Sequence, residues 1–194
     1  MPLDSVRTDN RREDILHQAA LLFGARGYDR TSMRDIAAAV GMLPGSVYYH
    51  FPSKEALLGA VYVEGIDRSI AALDVAVASR ADPWDRLEAA AATHLRLLLT
   101  GGALAAVVMD GPHHTGAARA ELIRQRDRYE VVFRRLIAAV ALPASVEPGP
   151  FRLALLGALN WALTWYRPDG DPPEVVARRV FAIFRASEPA TSEP

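Results

Sequence analysis

The chain has no cysteine, and only one of its 22 basic residues is a lysine, Lys54. Without thiols there is no disulfide framework, no thiolate metal site and no cysteine nucleophile, and the reducing cytoplasm is the expected compartment. An excess of charge of one sign is also missing. The 22 basic and 23 acidic residues leave a formal net charge of −1 over 194 residues, so bulk electrostatics points to no nucleic acid and no membrane surface. Long apolar runs are absent as well: stretches such as Ala103 to Met109 fall far short of the ~18 residues of a spanning helix, and no membrane partner is expected. The opening residues Met1 to Ser5 are polar and carry no apolar segment of a secretory signal. Sustained apolar/polar alternation, the mark of strands, is lacking throughout.

What is present is helical periodicity. With 51% hydrophobic and 23% charged residues the composition is that of a globular protein, and the pattern predicts an all-α chain of about nine helices. Asn10 and Glu13 have capping-box spacing at the start of the first helix, which Gly27 stops. Two short helices follow, one after Thr31 and Ser32 ending at Gly41, the other opened by Pro44 and closed by Pro52. Ser53 caps a long amphipathic helix from Lys54 to Ser79. Asp82 and Pro83 begin a fifth helix that breaks at Gly101-Gly102. A short apolar sixth runs to Met109, a loop spans Asp110 to Gly116, and a seventh helix extends from Ala117 to Leu142. Phe151 to Tyr166 forms an apolar eighth helix, and Asp171 and Glu174 have capping-box spacing before a ninth. The expected organisation is an N-terminal helical domain over residues 1–55, a larger helical domain over 56–187 and a disordered tail over 188–194.

The stretch from Thr31 to Lys54 carries the clearest functional signal. Two short helices joined at a glycine turn make a helix-turn-helix, whose second helix enters the major groove. With Val47 and Phe51 as its inward pair, Ser46, Tyr49 and His50 face groove or backbone, behind the small tip Pro44-Gly45. Hydroxyl and aromatic groups at such places bond phosphate and sugar. Tyr48 suits either core packing or a phosphate contact, and Lys54, just past the helix, suits a phosphate.

This run resembles the DNA-binding region of the TetR family of bacterial repressors. The shared pattern is Thr31, Ile36-Ala37, Gly41, Ser46, Tyr48, His50-Phe51, Ser53-Lys54 and Leu57, within about residues 9–65. The resemblance implies a homodimer with an N-terminal three-helix DNA-binding domain and a C-terminal domain that binds a small effector and releases operator DNA. It places Ser32, Arg34, Pro44, Gly45, Ser46, Tyr48, Tyr49, His50 and Lys54 at DNA-contacting positions. Leu43, Pro44 and Gly45 offer few side-chain hydrogen bonds, so direct base readout is expected to be sparse. Farther on, Tyr129 to Phe133 and Ala158 to Gly170 are similar to repressors of lipid and steroid catabolism that respond to coenzyme A thioesters, implying an acyl-CoA effector.

Met109, Tyr129, Phe133, Asn160, Trp161 and Trp165 are the candidate effector contacts, although each aromatic one among them, taken singly, suits core or dimer interface better. His94 reads as a half-buried, hydrogen-bonded histidine. Leu156, Val176, Val180 and Phe184 on the last two helices are the candidate dimer interface. His113-His114 lacks the further ligands of a metal site, and neither metal nor cofactor is expected. No nucleophile elbow, glycine-rich phosphate loop or His–carboxylate pair points to catalysis, so no catalytic residue is assigned. The alternatives are a repressor of the same type sensing a hydrophobic or cationic drug, an all-α enzyme, and a DNA-binding protein without an effector.

Overall fold

Nine helices account for the described chain, residues 3–110 and 116–185 of a computed structural model that is 80% helical, with no strand among those residues. They are α1 (Leu3–Arg26), α2 (Met33–Ala39), α3 (Pro44–His50), α4 (Lys54–Ala78), α5 (Pro83–Thr100), α6 (Gly102–Asp110), α7 (Gly116–Ala138), α8 (Pro148–Trp165) and α9 (Pro173–Arg185). The all-α expectation holds in class and in element order. His113, His114 and the tail over 188–194 lie outside the described residues.

Several boundaries follow local chemistry as expected. Gly27, at φ +81°, ends α1 in the left-handed conformation that glycine adopts without steric cost. Ser53 caps α4, its Oγ accepting the Ala56 N–H at 3.1 Å, and Asp82 caps α5, its carboxylate accepting the Asp85 N–H at 2.9 Å. Others move. α1 begins at Leu3 rather than at Asn10, because no proline or glycine interrupts the chain between Leu3 and Phe23, and Asn10 and Glu13 lie within the helix. α7 stops at Ala138 rather than Leu142, after which the N–H groups of Ala139 and Val140 reach back only three residues, to Leu136 and Ile137. α8 starts at Pro148. Asp171 does not cap α9: its carboxylate pairs with Arg179, and the Pro172 carbonyl accepts the first helical N–H groups, from Val175 at 2.9 Å and Val176 at 3.1 Å.

By packing, the chain forms two units, and they do not follow chain order. The first comprises residues 1–67 and 101–126, the second 68–100 and 127–194, so α4 and α7 each contribute to both. In the first unit Ile15, Ala19 and Phe23 of α1, Ile36 of α2, Val47 of α3 and Leu57, Leu58 and Tyr62 of α4 enclose one core, to which Val107 and Leu122 are added. α1 and α6 cross closely: a Cβ on Gly24 would lie 3.1 Å from the Ala103 backbone, so any side chain there would push α6 outward by a few tenths of an ångström. In the second unit α9 packs on α5 and α8. Leu73, Leu87, Leu95, Phe133, Leu155, Leu159 and Phe181 are wholly or almost wholly buried in it. Arg185 ties the end of α9 to the start of α5 through Asp85 at 2.8 Å.

Candidate nucleic-acid interface and ligand site

The α2–α3 pair is held by caps at each joint. Ser32 Oγ accepts the Asp35 N–H at 3.2 Å while Asp35 Oδ2 accepts the Ser32 hydroxyl at 2.6 Å and the Ser32 N–H at 2.8 Å, a complete capping box, and the hydroxyl first and the backbone N–H second hold the Asp35 carboxyl below its usual range. Gly41, at φ +63°, closes α2. The Met42 N–H donates to the Ala37 carbonyl at 2.9 Å and the Gly41 N–H to Ala38 at 3.2 Å, a Schellman turn. Pro44 opens α3, where a missing N–H leaves nothing unbonded.

α3 has two distinct sides. Val47 and Phe51 are buried, and the Arg12 guanidinium lies 5.1 Å from the centre of the Phe51 ring. Outward stand Leu43, Gly45, Ser46, Tyr48 and Tyr49; Leu43 is 77% and Tyr49 83% exposed, so these apolar and aromatic groups face solvent. Tyr48, for which core packing and phosphate contact were both open, is on the outer side. His50 is half-buried and meets the Tyr49 ring edge-on at 5.5 Å. Arg34 is exposed on α2.

Two of the expected DNA contacts have other work in the fold. Ser32 is committed to the capping box. Lys54 turns inward: its ammonium donates to the carbonyls of Tyr28 at 2.9 Å and Thr31 at 3.0 Å and lies 4.0 Å from the centre of the Tyr28 ring. The ammonium thereby joins the start of α4 to the α1–α2 connection, with two of its three hydrogens used.

The second unit gathers part of the candidate ligand set. His94 of α5 stands between Tyr129 of α7, with Nδ1 2.8 Å from Oη, and Asn160 of α8, with Nε2 3.0 Å from Oδ1. Phe133 completes the group, its ring edge-on to His94 at 5.8 Å and tilted on Tyr129 at 5.7 Å. Burial lowers the His94 pKa and raises that of Tyr129, so both are neutral near pH 7. The hydrogen-bonded state expected of His94 is thus present, but its place beside three ligand candidates was missed; with 35 and 66 residues separating it from its partners, no local pattern marks it.

Trp161 and Trp165 do not join this group. They lie on the outer strip of α8 with Leu153, Ala154, Gly157 and Thr164, and Trp161 is 65% exposed. The Met109 side chain lies outside the described residues. Of the expected interface residues, Leu156 and Val176 are buried in the unit's own core and Val180 and Phe184 are half-buried. A helix apolar on all sides does not reveal from sequence which stripe its neighbours cover. On α9 the exposed large apolar residue among those described is Ile183, 72% exposed.

Comparison with known proteins bears directly on these two surfaces. Residues 15–61 match the model of the tetR family of bacterial regulatory proteins, and residues 80–187 match the tetracyclin repressor-like C-terminal domain. The chain belongs to the TetR family. It is 32% identical over 190 residues to the HTH-type transcriptional repressor KstR2 of Rhodococcus jostii (strain RHA1), covering 93% of this chain and 92% of that one. Among solved structures, AibR in complex with isovaleryl coenzyme A and operator DNA aligns with TM-score 0.73 at 30% identity, over 89% of this chain and 97% of that one. The superantigen PfiT aligns with TM-score 0.81 at 28% identity, over 89% and 95% of the two chains. As a TetR-family member the protein is a DNA-binding transcriptional repressor and not an enzyme. No described helix is long and apolar enough to cross a membrane.

Proposed function

We propose that this repressor binds a two-fold-symmetric operator as a homodimer and is released from it by an acyl-coenzyme A thioester. The observation that carries the DNA reading is the outer side of α3: Ser46, Tyr48 and Tyr49 stand in solvent on a helix whose other side is fixed by Val47 and Phe51. With Arg34, and with Gly45 at the tip allowing close approach, they supply phosphate and sugar contacts and few base contacts, so part of the specificity comes from DNA shape.

A two-fold dimer presents two such helices, with half-sites about one helical turn apart or a multiple of it. The second copy is assigned to the outer strip of α8, Leu153, Gly157, Trp161 and Trp165, with Ile183 of α9, since these large apolar groups are otherwise left to water. The effector site is assigned to Tyr129, Phe133 and Asn160 with His94 added. Likeness to KstR2 and to AibR, which binds isovaleryl coenzyme A, supports the thioester class. A cation sensor calls for carboxylates facing aromatic rings, and the His94 cluster holds none of its own.

Purified protein is used to select fragments of the source genome, and the selected operator is titrated, protein-bound, with isovaleryl coenzyme A, isovaleric acid and a cationic dye. Release by the thioester alone is expected. Release by the dye and by no thioester overturns the effector class, and failure to enrich any fragment overturns the operator reading. Sedimentation of Trp161→Glu is expected to show monomers; an unchanged dimer moves the interface elsewhere.

A further inference from the structure

The hydrogen-bond chain in the second unit has a direction. An amide oxygen only accepts, so His94 Nε2, 3.0 Å from Asn160 Oδ1, carries the ring hydrogen. The ring is neutral, which leaves Nδ1 bare, and the Tyr129 hydroxyl at 2.8 Å therefore donates to it. Hydrogens run from Tyr129 to His94 to Asn160, and each is committed until the last residue. There both hydrogens of Asn160 Nδ2 remain, on an exposed residue at the α5-facing edge of the α8 outer strip.

Such a chain adds little to stability, since replacing matched polar partners by apolar groups of the same shape is close to neutral. What it does is remove a choice. A free asparagine turns its amide over at little cost and offers either oxygen or nitrogen; here the turned-over amide would move the ring hydrogen to Nδ1 and leave the hydrogen of the buried Tyr129 hydroxyl without an acceptor, so the oxygen is held toward His94 and the nitrogen outward. The outward group donates and does not accept. It therefore suits a carbonyl oxygen and is mismatched to an ammonium group.

We propose that Asn160 is the effector-contacting residue that donates to the thioester carbonyl oxygen, with His94 and Tyr129 as positioning residues that hold its amide in the donating orientation. This rests on the acyl-thioester reading above and narrows it: the site recognises the acyl carbonyl itself, in addition to the chain and the nucleotide at its two ends.

The experiment is calorimetric titration of the full chain at pH 8 with isovaleryl coenzyme A and with the thioether analogue in which a methylene replaces the carbonyl. The unmodified protein is expected to prefer the thioester by about tenfold, the worth of one hydrogen bond. Asn160→Asp keeps the acceptor for His94 and removes both donors; it should bring the ratio of thioester to thioether affinity to one or below. Tyr129→Phe and His94→Phe should reduce that ratio to intermediate values, a quantity that a merely structural role does not move. Equal binding of both compounds by the unmodified protein, or a full preference retained in Asn160→Asp, overturns this proposal and leaves the thioester class standing. Binding of neither compound overturns the class and this proposal with it.

Discussion

The two units differ in what sets their functional geometry. In the first, local backbone events fix it: a capping box at Ser32, a left-handed glycine at Gly41 and a proline at the first turn of α3 all fall within thirteen residues of chain. In the second, the functional cluster is assembled from α5, α7 and α8 by side chains as many as 66 residues apart. A site built from local events leaves a spaced signature, whereas a site built from packing exists only once the helices have met. Substitutions in the two units should therefore separate DNA binding from effector response.

The largest effects are expected from a matched pair of buried rings. Phe51→Ala and Phe133→Ala each remove a core aromatic, at about 3–5 kcal/mol by denaturant unfolding. Operator affinity, measured on the folded fraction, should collapse in Phe51→Ala and persist in Phe133→Ala, while thioester binding, measured without DNA, should be lost only in the latter. Equal loss of operator affinity in both would erase the distinction between the units.

Next in size is Lys54→Met, which deletes two charged hydrogen bonds and the contact with the Tyr28 ring but keeps an apolar stem. A loss of about 1.5–3 kcal/mol in stability is expected. The salt dependence of operator binding should remain as it was, because the ammonium is spent within the protein. A slope shallower by about one counterion would restore Lys54 to the phosphate contacts. Tyr49→Ala is the mirror case. Its ring is 83% exposed, so stability should stay within about 0.5 kcal/mol while operator binding weakens by about 1–3 kcal/mol.

Lys54 and α8 show where legibility in the sequence ends. The helices, their order and the helix-turn-helix follow from spacing, because caps, glycines and period are properties of neighbouring residues. Which way a long side chain turns is not: Lys54 fits a phosphate and a carbonyl cage equally well until the α1–α2 connection is in place. The same holds for α8, where Leu156 and Trp161 are equivalent in composition and the packing of α5 and α9 makes one core and the other surface. His94 was legible as half-buried and hydrogen-bonded, but its partners on α7 and α8 were not.

The smallest expected effect is a proton's worth, and it belongs to the second unit alone. His94 titrates below its ordinary value of 6.5, chiefly because burial disfavours the imidazolium, with Asn160 as acceptor opposing the shift. Well above pH 6.5 the ring is neutral in folded and unfolded chains and contributes nothing to pH dependence. As the pH falls through 6.5 the unfolded chain takes up the proton and the folded one does not, so stability declines until the lower folded value is reached. The slope from one group is at most about 1.4 kcal/mol per pH unit. His94→Gln removes that group and should flatten the melting temperature between pH 7 and 5 relative to the unmodified protein. Operator affinity of the folded protein should not change with the substitution at pH 7.5, since the ring is neutral there. An unmodified protein that instead gains stability relative to His94→Gln as the pH falls from 7 to 5 would reverse the sign and place the imidazolium, rather than the neutral ring, between Tyr129 and Asn160.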